Sequence, residues 1–165
     1  MMDKKWQLKQ HPDQLLVDRI REQLNVSETI AILLAQRGVA NFDTAKSFFN
    51  PSFTDLHDPF KMKDMDVAVS RLKWAIDSEE KILIFGDYDV DGTTAVSLVY
   101  SFIMRLTSQV DFYIPERHDE GYGVSCKGID WAGENDFGLI ITLDCGIKAN
   151  EKVEYARGKG IDMII

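Results

Sequence analysis

Four short apolar runs punctuate the second half of the chain: Lys81 to Gly86, Val110 to Ile114, Leu139 to Leu143 and Ile161 to Ile165. The stretches between them, notably Thr93 to Leu106, are long enough for helices. Short runs of this kind read as strands buried on both faces, and such strands belong to a parallel sheet whose crossover helices cover both sides. The pattern predicts an α/β fold, a parallel doubly wound sheet, over residues 81–165. The first 80 residues carry a different period. Leu15, Leu16, Ile20 and Leu24 repeat at helical spacing, and a stretch opened by Ser27 carries Ile30, Ile32, Leu33 and Leu34 up to Gly38. A short helix fits Asp43 to Phe49, stopped by Asn50 and Pro51, and Met65, Val67, Ala68, Leu72 and Ala75 predict a fourth reaching about Ser78. Residues 1–80 therefore read as a small helical N-terminal region, and 81–165 as the α/β part. Because the last apolar run meets no turn signal, cap or polar tail, we expect the chain to be an N-terminal fragment of a longer protein.

A chain of 165 residues that is 45% hydrophobic and 28% charged has enough apolar surface to offset the cost of ordering, which excludes a disordered or low-complexity class. No apolar run approaches the ~20 residues that span a bilayer, and the N-terminus leads into polar sequence. The expectation is a cytoplasmic protein with no membrane partner. Cys126 and Cys145 lack a Cys-x-x-Cys partner and read as small buried residues. Residues 1–80 hold 11 basic and 13 acidic side chains, residues 81–165 hold 8 and 14, so the second half carries −6 of the net −8. Such an acid excess argues against nonspecific nucleic-acid binding, which needs Lys and Arg. An enzyme whose carboxylates hold divalent cations is the exception, because the metal then meets the phosphate.

The strongest local signal is the cluster Asp87, Asp89 and Asp91 with Gly92 and Thr93, directly after the first strand and opening a helix. Ligands of parallel sheets bind outside the carboxyl ends of the strands. Asp87 and Asp89, two apart, can share a side, and carboxylates held that close favour a hard cation between them, Mg²⁺ or Mn²⁺. The competing reading is a helix cap at Asp91 or Thr93. Asp144, followed by Cys145 and Gly146, ends the third strand and completes an acidic triad if that strand neighbours the first. Taken alone it is an ordinary turn residue. An EF-hand loop opens similarly, but its twelfth position here is Leu98. Asp89 to Thr93 also matches the Asp-x-Asp-x-Thr of haloacid-dehalogenase-like phosphatases, which would make Asp89 a nucleophile. A third alternative is a noncatalytic metal- or nucleotide-binding regulatory module. After the second strand, Arg117 can clamp a phosphate, and Gly121 and Gly123 flanking Tyr122 let a loop approach a ligand, against the plain reading of a solvated charge run. His118, His11 and His57 stay outside the site.

Ile84 to Gly92 resembles the first motif of the DHH phosphoesterase superfamily. Phe49 to Ser52, Leu56 to Phe60, Lys63 to Ala68, Tyr113 to Pro115 with Arg117, Glu120 to Gly123, and Leu143 to Gly146 resemble its bacterial single-strand-specific exonuclease branch, in the same order and across nearly the whole chain. The resemblance implies a 5′-to-3′ exonuclease on single-stranded DNA, working in recombination and repair with Mn²⁺ or Mg²⁺ in a two-metal site. It implies that Asp87, Asp89 and Asp144 are metal ligands and catalytic. Asp91 matches an acidic position outside that set, and the family's Asp-His-His motif is expected after Ile165. Metal-activated water would attack phosphorus, with Arg117, Gly121, Tyr122 and Gly123 as the phosphate-facing loop. Partners implied are single-stranded DNA, a single-stranded-DNA-binding protein and a helicase.

Overall fold

The computed structural model describes residues 5–165. The chain divides into two compact units, one ending at Pro59 and one spanning Phe60–Ile165. In the first, α1 (Gln14–Leu24), α2 (Glu28–Ala35) and α3 (Phe42–Phe49) enclose Val17, Ile20, Ala31, Leu34, Val39 and Ala45. Ser27 caps α2 by accepting the Ile30 amide, and Asn41 with Thr44 forms a reciprocal capping box on α3.

The second unit runs α4 (Met65–Asp77), β1 (Lys81–Gly86), α5 (Val90–Ile103), β2 (Val110–Tyr113), α6 (Cys126–Glu134), β3 (Phe137–Leu143), α7 (Asn150–Gly158) and β4 (Asp162–Ile164). The four strands form one parallel sheet in the order β2-β1-β3-β4. Successive side chains of a strand face opposite sides, and β1 separates accordingly. Ile82 and Ile84 pack with Ala75 of α4 and with Val96 and Ile103 of α5, while Leu83 and Phe85 pack with Ile129 and Ala132 of α6 and Ala156 of α7. The fold is α/β with helices on both faces, a doubly wound parallel sheet, preceded by a small helical region. The period changes at Lys81, whereas the compact units part at Pro59, because α4 packs against β1.

At the amino edge of the sheet Arg71 of α4 meets Glu80 at 2.6 and 3.0 Å, Asp162 at 2.6 Å and the Gly138 carbonyl at 3.3 Å. One guanidinium thus ties α4 to the starts of three strands. Two expectations need adjusting. β2 is an edge strand, with Asp111 and Phe112 exposed, and it ends at Tyr113 rather than Ile114. Helix α5 begins at Val90, three residues before Thr93, for a reason that lies in the site. Among the described residues no helix is long and apolar enough to cross a membrane.

Candidate active site

From β1 the chain crosses through α5 to β2 on one side, then returns to β3 on the other side of β1 and continues outward to β4. Connections leave β1 and β3 in opposite directions, so a crevice opens at their carboxyl ends, where open α/β sheets bind ligands. The register pairs Gly86 with Leu143, and the next residues, Asp87 and Asp144, stand on either side of that crevice.

Asp87 is fully buried. Its Oδ1 accepts the Tyr88 amide at 2.7 Å and its Oδ2 the Gly123 amide at 3.2 Å. No Lys, Arg or His among the described residues forms a salt bridge with it. The first turn of α5 lies directly on this backbone: a Cβ at Gly92 would stand 2.5 Å from the Asp87 carbonyl oxygen and 2.6 Å from its nitrogen. That close approach sets where α5 starts. Asp89, rather than Asp91 or Thr93, is therefore the N-cap, its Oδ1 accepting the Gly92 amide at 2.9 Å while the Thr93 hydroxyl donates to the Asp89 carbonyl at 2.7 Å. Asp91 is exposed in the first turn of α5.

The loop from β2 to α6 folds over the crevice. Gly123 has φ +87°, a backbone region unfavourable to other residues, and its N–H there reaches Asp87. Tyr122 is 65% exposed, and its phenol is raised above its ordinary value. The causes are the charge of Asp87 first, then that of Asp89, some burial, the charge of Asp144, and a hydrogen bond to Asp87. One hydroxyl thus feels all three aspartates, while Asp91 is not among the charges acting on it. The Tyr122 ring meets Tyr88 edge-on at 5.9 Å, and the Arg117 guanidinium lies 5.3 Å from the Tyr88 ring centroid. Gly121, φ +80°, belongs to the same turn. His118 is exposed on the outer part of this loop.

A cleft of ≈ 700 Å³ leads from Tyr122, Gly123 and Asp144 to Lys148, Asn150 and Lys152 at the start of α7. These last three were missed by reasoning from sequence, which followed the third strand only as far as Gly146. Lys152 Nζ reaches Cys126 Sγ at 2.9 Å. Cys145 is pushed up to about 11 by burial and, after that, by Asp87. Glu120 was also missed as an individual residue, because inside a run of charges nothing marks it as a hub. It accepts from Tyr113, Glu116 and Ser125.

All-oxygen carboxylate donors have the chemistry that suits Mg²⁺ or Mn²⁺. Asp87 and Asp89 each already hold backbone amides, and among the described residues no three His, Cys, Asp or Glu side chains converge closely enough to hold a metal as they stand. The donor types fit a hard cation, and the adjoining carboxyl ends of β1 and β3, after which Asp87 and Asp144 follow, fit its location.

Residues 81–165 match the DHH family, N-terminal domain. The chain is 42% identical over 161 residues to the single-stranded-DNA-specific exonuclease RecJ of Bacillus subtilis (strain 168), which covers 98% of this chain and 20% of that protein. Among solved structures, exonuclease RecJ bound to manganese aligns at 29% identity and a TM-score of 0.57, over 62% of this chain and 26% of that one. RecJ from Thermus thermophilus in complex with Mn²⁺ aligns at 22% identity and a TM-score of 0.63, over 93% of this chain and 21% of that one, a likeness of fold. The chain spans about a fifth of the length of the curated relatives it matches. The matched residues begin with β1 and take in every strand and loop that builds the crevice, and the chain belongs to the DHH family.

Proposed function

We propose that the crevice between β1 and β3 is the first part of a metal-dependent site hydrolysing phosphodiester bonds of single-stranded DNA from the 5′ end. Asp87, Asp89 and Asp144 would hold Mn²⁺ or Mg²⁺, with Asp91 as a further acidic residue beside them. When bound, such a cation activates water and neutralises charge building on the phosphate oxygens. Arg117 supplies a guanidinium for phosphate, while Gly121, Tyr122 and Gly123 shape the loop facing it. In this reading residues 1–80 are a helical lead-in and 81–165 the N-terminal part of the DHH domain. The biological setting is cytoplasmic recombination and repair, with single-stranded-DNA-binding protein and a helicase as partners.

The observation that carries the reading is the adjacency of β1 and β3, which sets Asp87 beside Asp144 at the switch point of the sheet. The relatives named for this activity, and the RecJ structures bound to manganese, support it. The test is a Mn²⁺ titration followed by loss of the free ion's paramagnetic resonance signal. Binding should be present in the parent chain and lost in Asp87→Asn and Asp144→Asn; equal binding by all three would overturn the ligand assignment. Incubation of the full-length protein with 5′-labelled single-stranded DNA then separates the classes, because the 165-residue chain spans about a fifth of the length of its curated relatives and is expected to be inactive alone. Release of the label as a 5′ mononucleotide without a protein-bound phosphate fits hydrolysis by water from the 5′ end, phosphate trapped on Asp89 fits the phosphatase, and metal or nucleotide binding with no turnover fits a regulatory module.

A further inference from the structure

Glu120 sits in a run of charged residues and would be expected to face water, yet its side chain is half-buried and collects three donors. Tyr113 Oη lies 3.0 Å from both carboxylate oxygens, the Glu116 amide donates to Oε1 at 2.8 Å, and the Ser125 hydroxyl donates to Oε2. Each donor is held from behind. The Tyr113 ring stacks on Phe85 of β1 at 5.4 Å and lies 5.6 Å from Trp131 of α6. Ser125 is the N-cap of α6, its Oγ accepting the Gly128 amide at 2.9 Å, which leaves its hydrogen for Glu120. The Glu116 carboxylate accepts the amides of His118 and Asp119 and closes the turn between them. Glu120 therefore joins the end of β2, the start of the loop and the start of α6 at one carboxylate. The only loop residues between this hub and the α6 cap are 121–124, and within them Gly123 donates to Asp87 Oδ2.

We propose that Glu120 is a positioning residue for the crevice: by fixing both flanks of residues 121–124 it holds the Gly123 N–H on Asp87 and so sets the orientation of that carboxylate. The proposal rests on the reading of Asp87 as a metal ligand. Burial raises the Glu120 carboxyl, but hydrogen bonds from Ser125, the Glu116 amide and Tyr113 outweigh it and leave the group below its ordinary value, so it remains the acceptor this geometry requires. Groups that orient a metal ligand commonly change metal affinity by about 10- to 100-fold when removed.

Glu120→Gln keeps the volume but only one of the two acceptor oxygens; with that oxygen held by the Glu116 amide, an NH2 group faces the Ser125 hydroxyl that in the parent donates to Oε2, and Tyr113 loses one of its two acceptors. Two measurements on the 165-residue chain test the proposal. Amide hydrogen exchange without metal should show the Gly123 N–H protected in the parent and exchanging at least about tenfold faster in Glu120→Gln. Mn²⁺ affinity, read by paramagnetic resonance, should fall by about tenfold or more. Tyr113→Phe, which removes one donor and keeps the ring, should shift both in the same direction by less. Asp119→Asn, one residue away and exposed, should leave both unchanged. Unchanged Gly123 protection in Glu120→Gln would overturn the proposal, as would lost protection with unchanged Mn²⁺ affinity. If the parent binds no Mn²⁺ while Gly123 protection still depends on Glu120, the metal reading fails and the loop anchor stands.

Discussion

Gly92 is where the geometry of the crevice is most sharply testable, since two opposing effects act on Gly92→Ala. Alanine in a helix is favoured over glycine by up to about 1 kcal/mol, and less in the first turn, so propensity alone predicts stabilisation. The new Cβ would stand 2.5, 2.6 and 2.9 Å from the oxygen, nitrogen and carbonyl carbon of Asp87. All three are backbone atoms at the end of a strand buried on both faces, and they cannot turn aside as a side-chain tip can. The first turn of α5 must move instead, stretching the 2.9 Å bond from the Gly92 amide to Asp89. Overpacking of this kind costs about 1–3 kcal/mol, and a weakened cap about 1 more. The clash wins, with a net loss of about 2–3 kcal/mol and a fall in melting temperature of about 10 °C for a unit of this size. Thermal unfolding followed by circular dichroism measures it. Gly158→Ala is the control, because the same exchange near the end of α7 meets nothing within 4 Å. It should be neutral or stabilising by up to about 1 kcal/mol. If Gly92→Ala melts at or above the parent, the close packing of α5 on Asp87 is wrong.

Asp89→Ala should cost about 1 kcal/mol through the lost cap, whereas Asp89→Asn, whose amide oxygen can still accept the Gly92 amide, should unfold at nearly the parental urea concentration; equal losses in both would refute the cap. Arg71→Met strands Glu80, only 19% exposed, beside Asp162, and should lower stability by about 2 kcal/mol after allowance for partial exposure; a urea midpoint within error of the parent would remove the tie its importance. Tyr113 is pushed up to about 12 by burial and then by Glu120, so the folded state keeps its proton where the unfolded state loses it. Its contribution is fully present below pH ~10 and is lost as pH rises from there to about 12. Tyr113→Phe should flatten that alkaline decline in a pH series of denaturation curves, and an unchanged slope would contradict the assignment.

How much of this was legible in the sequence differs from element to element. β1 announced itself because Ile82 to Phe85 are buried on both faces, which leaves no polar position to confuse the pattern. β2 was blurred at its end, since at the sheet edge Phe112 can be 49% exposed and pairing rather than hydropathy decides the boundary. The start of α5 was misjudged because each of three aspartates is a competent cap, and the choice is made by contact between Gly92 and Asp87, which no local rule contains. Helix α4 looked like part of the helical region by its period, but its partner at Ala75 is the β1 face. Asp87 and Asp144 were legible as ends of strands; that those strands are neighbours follows only from the crossover. Glu120 was not legible, because its burial depends on Tyr113 and Ser125, set on either side of it along the chain.

The acid excess of residues 81–165 bears on how the crevice would meet the single-stranded DNA proposed as its substrate. Asp87 and Asp89 follow β1 and Asp144 follows β3 at one edge of the sheet, and the amino ends of α5, α6 and α7 face the same edge because each follows a strand in a parallel sheet. Those helix ends supply about half a positive charge each, too little to cancel three carboxylates. A phosphate approaching without metal is therefore repelled, one divalent cation brings the local charge to about zero or slightly positive, and a second makes the crevice clearly cationic. Metal should then govern binding of DNA as well as the proposed hydrolysis. A fluorescent single-stranded oligonucleotide should show no anisotropy change with the chain in the presence of a chelator at low salt, where repulsion is least screened. Added Mn²⁺ should produce weak binding that declines as salt is raised. Asp144→Asn should lessen the repulsion in chelator and lower the gain on adding Mn²⁺, since the same carboxylate is a source of both. Equal oligonucleotide affinity with and without Mn²⁺ would show that the DNA is gripped away from the crevice, by side chains whose charge the aspartates do not oppose.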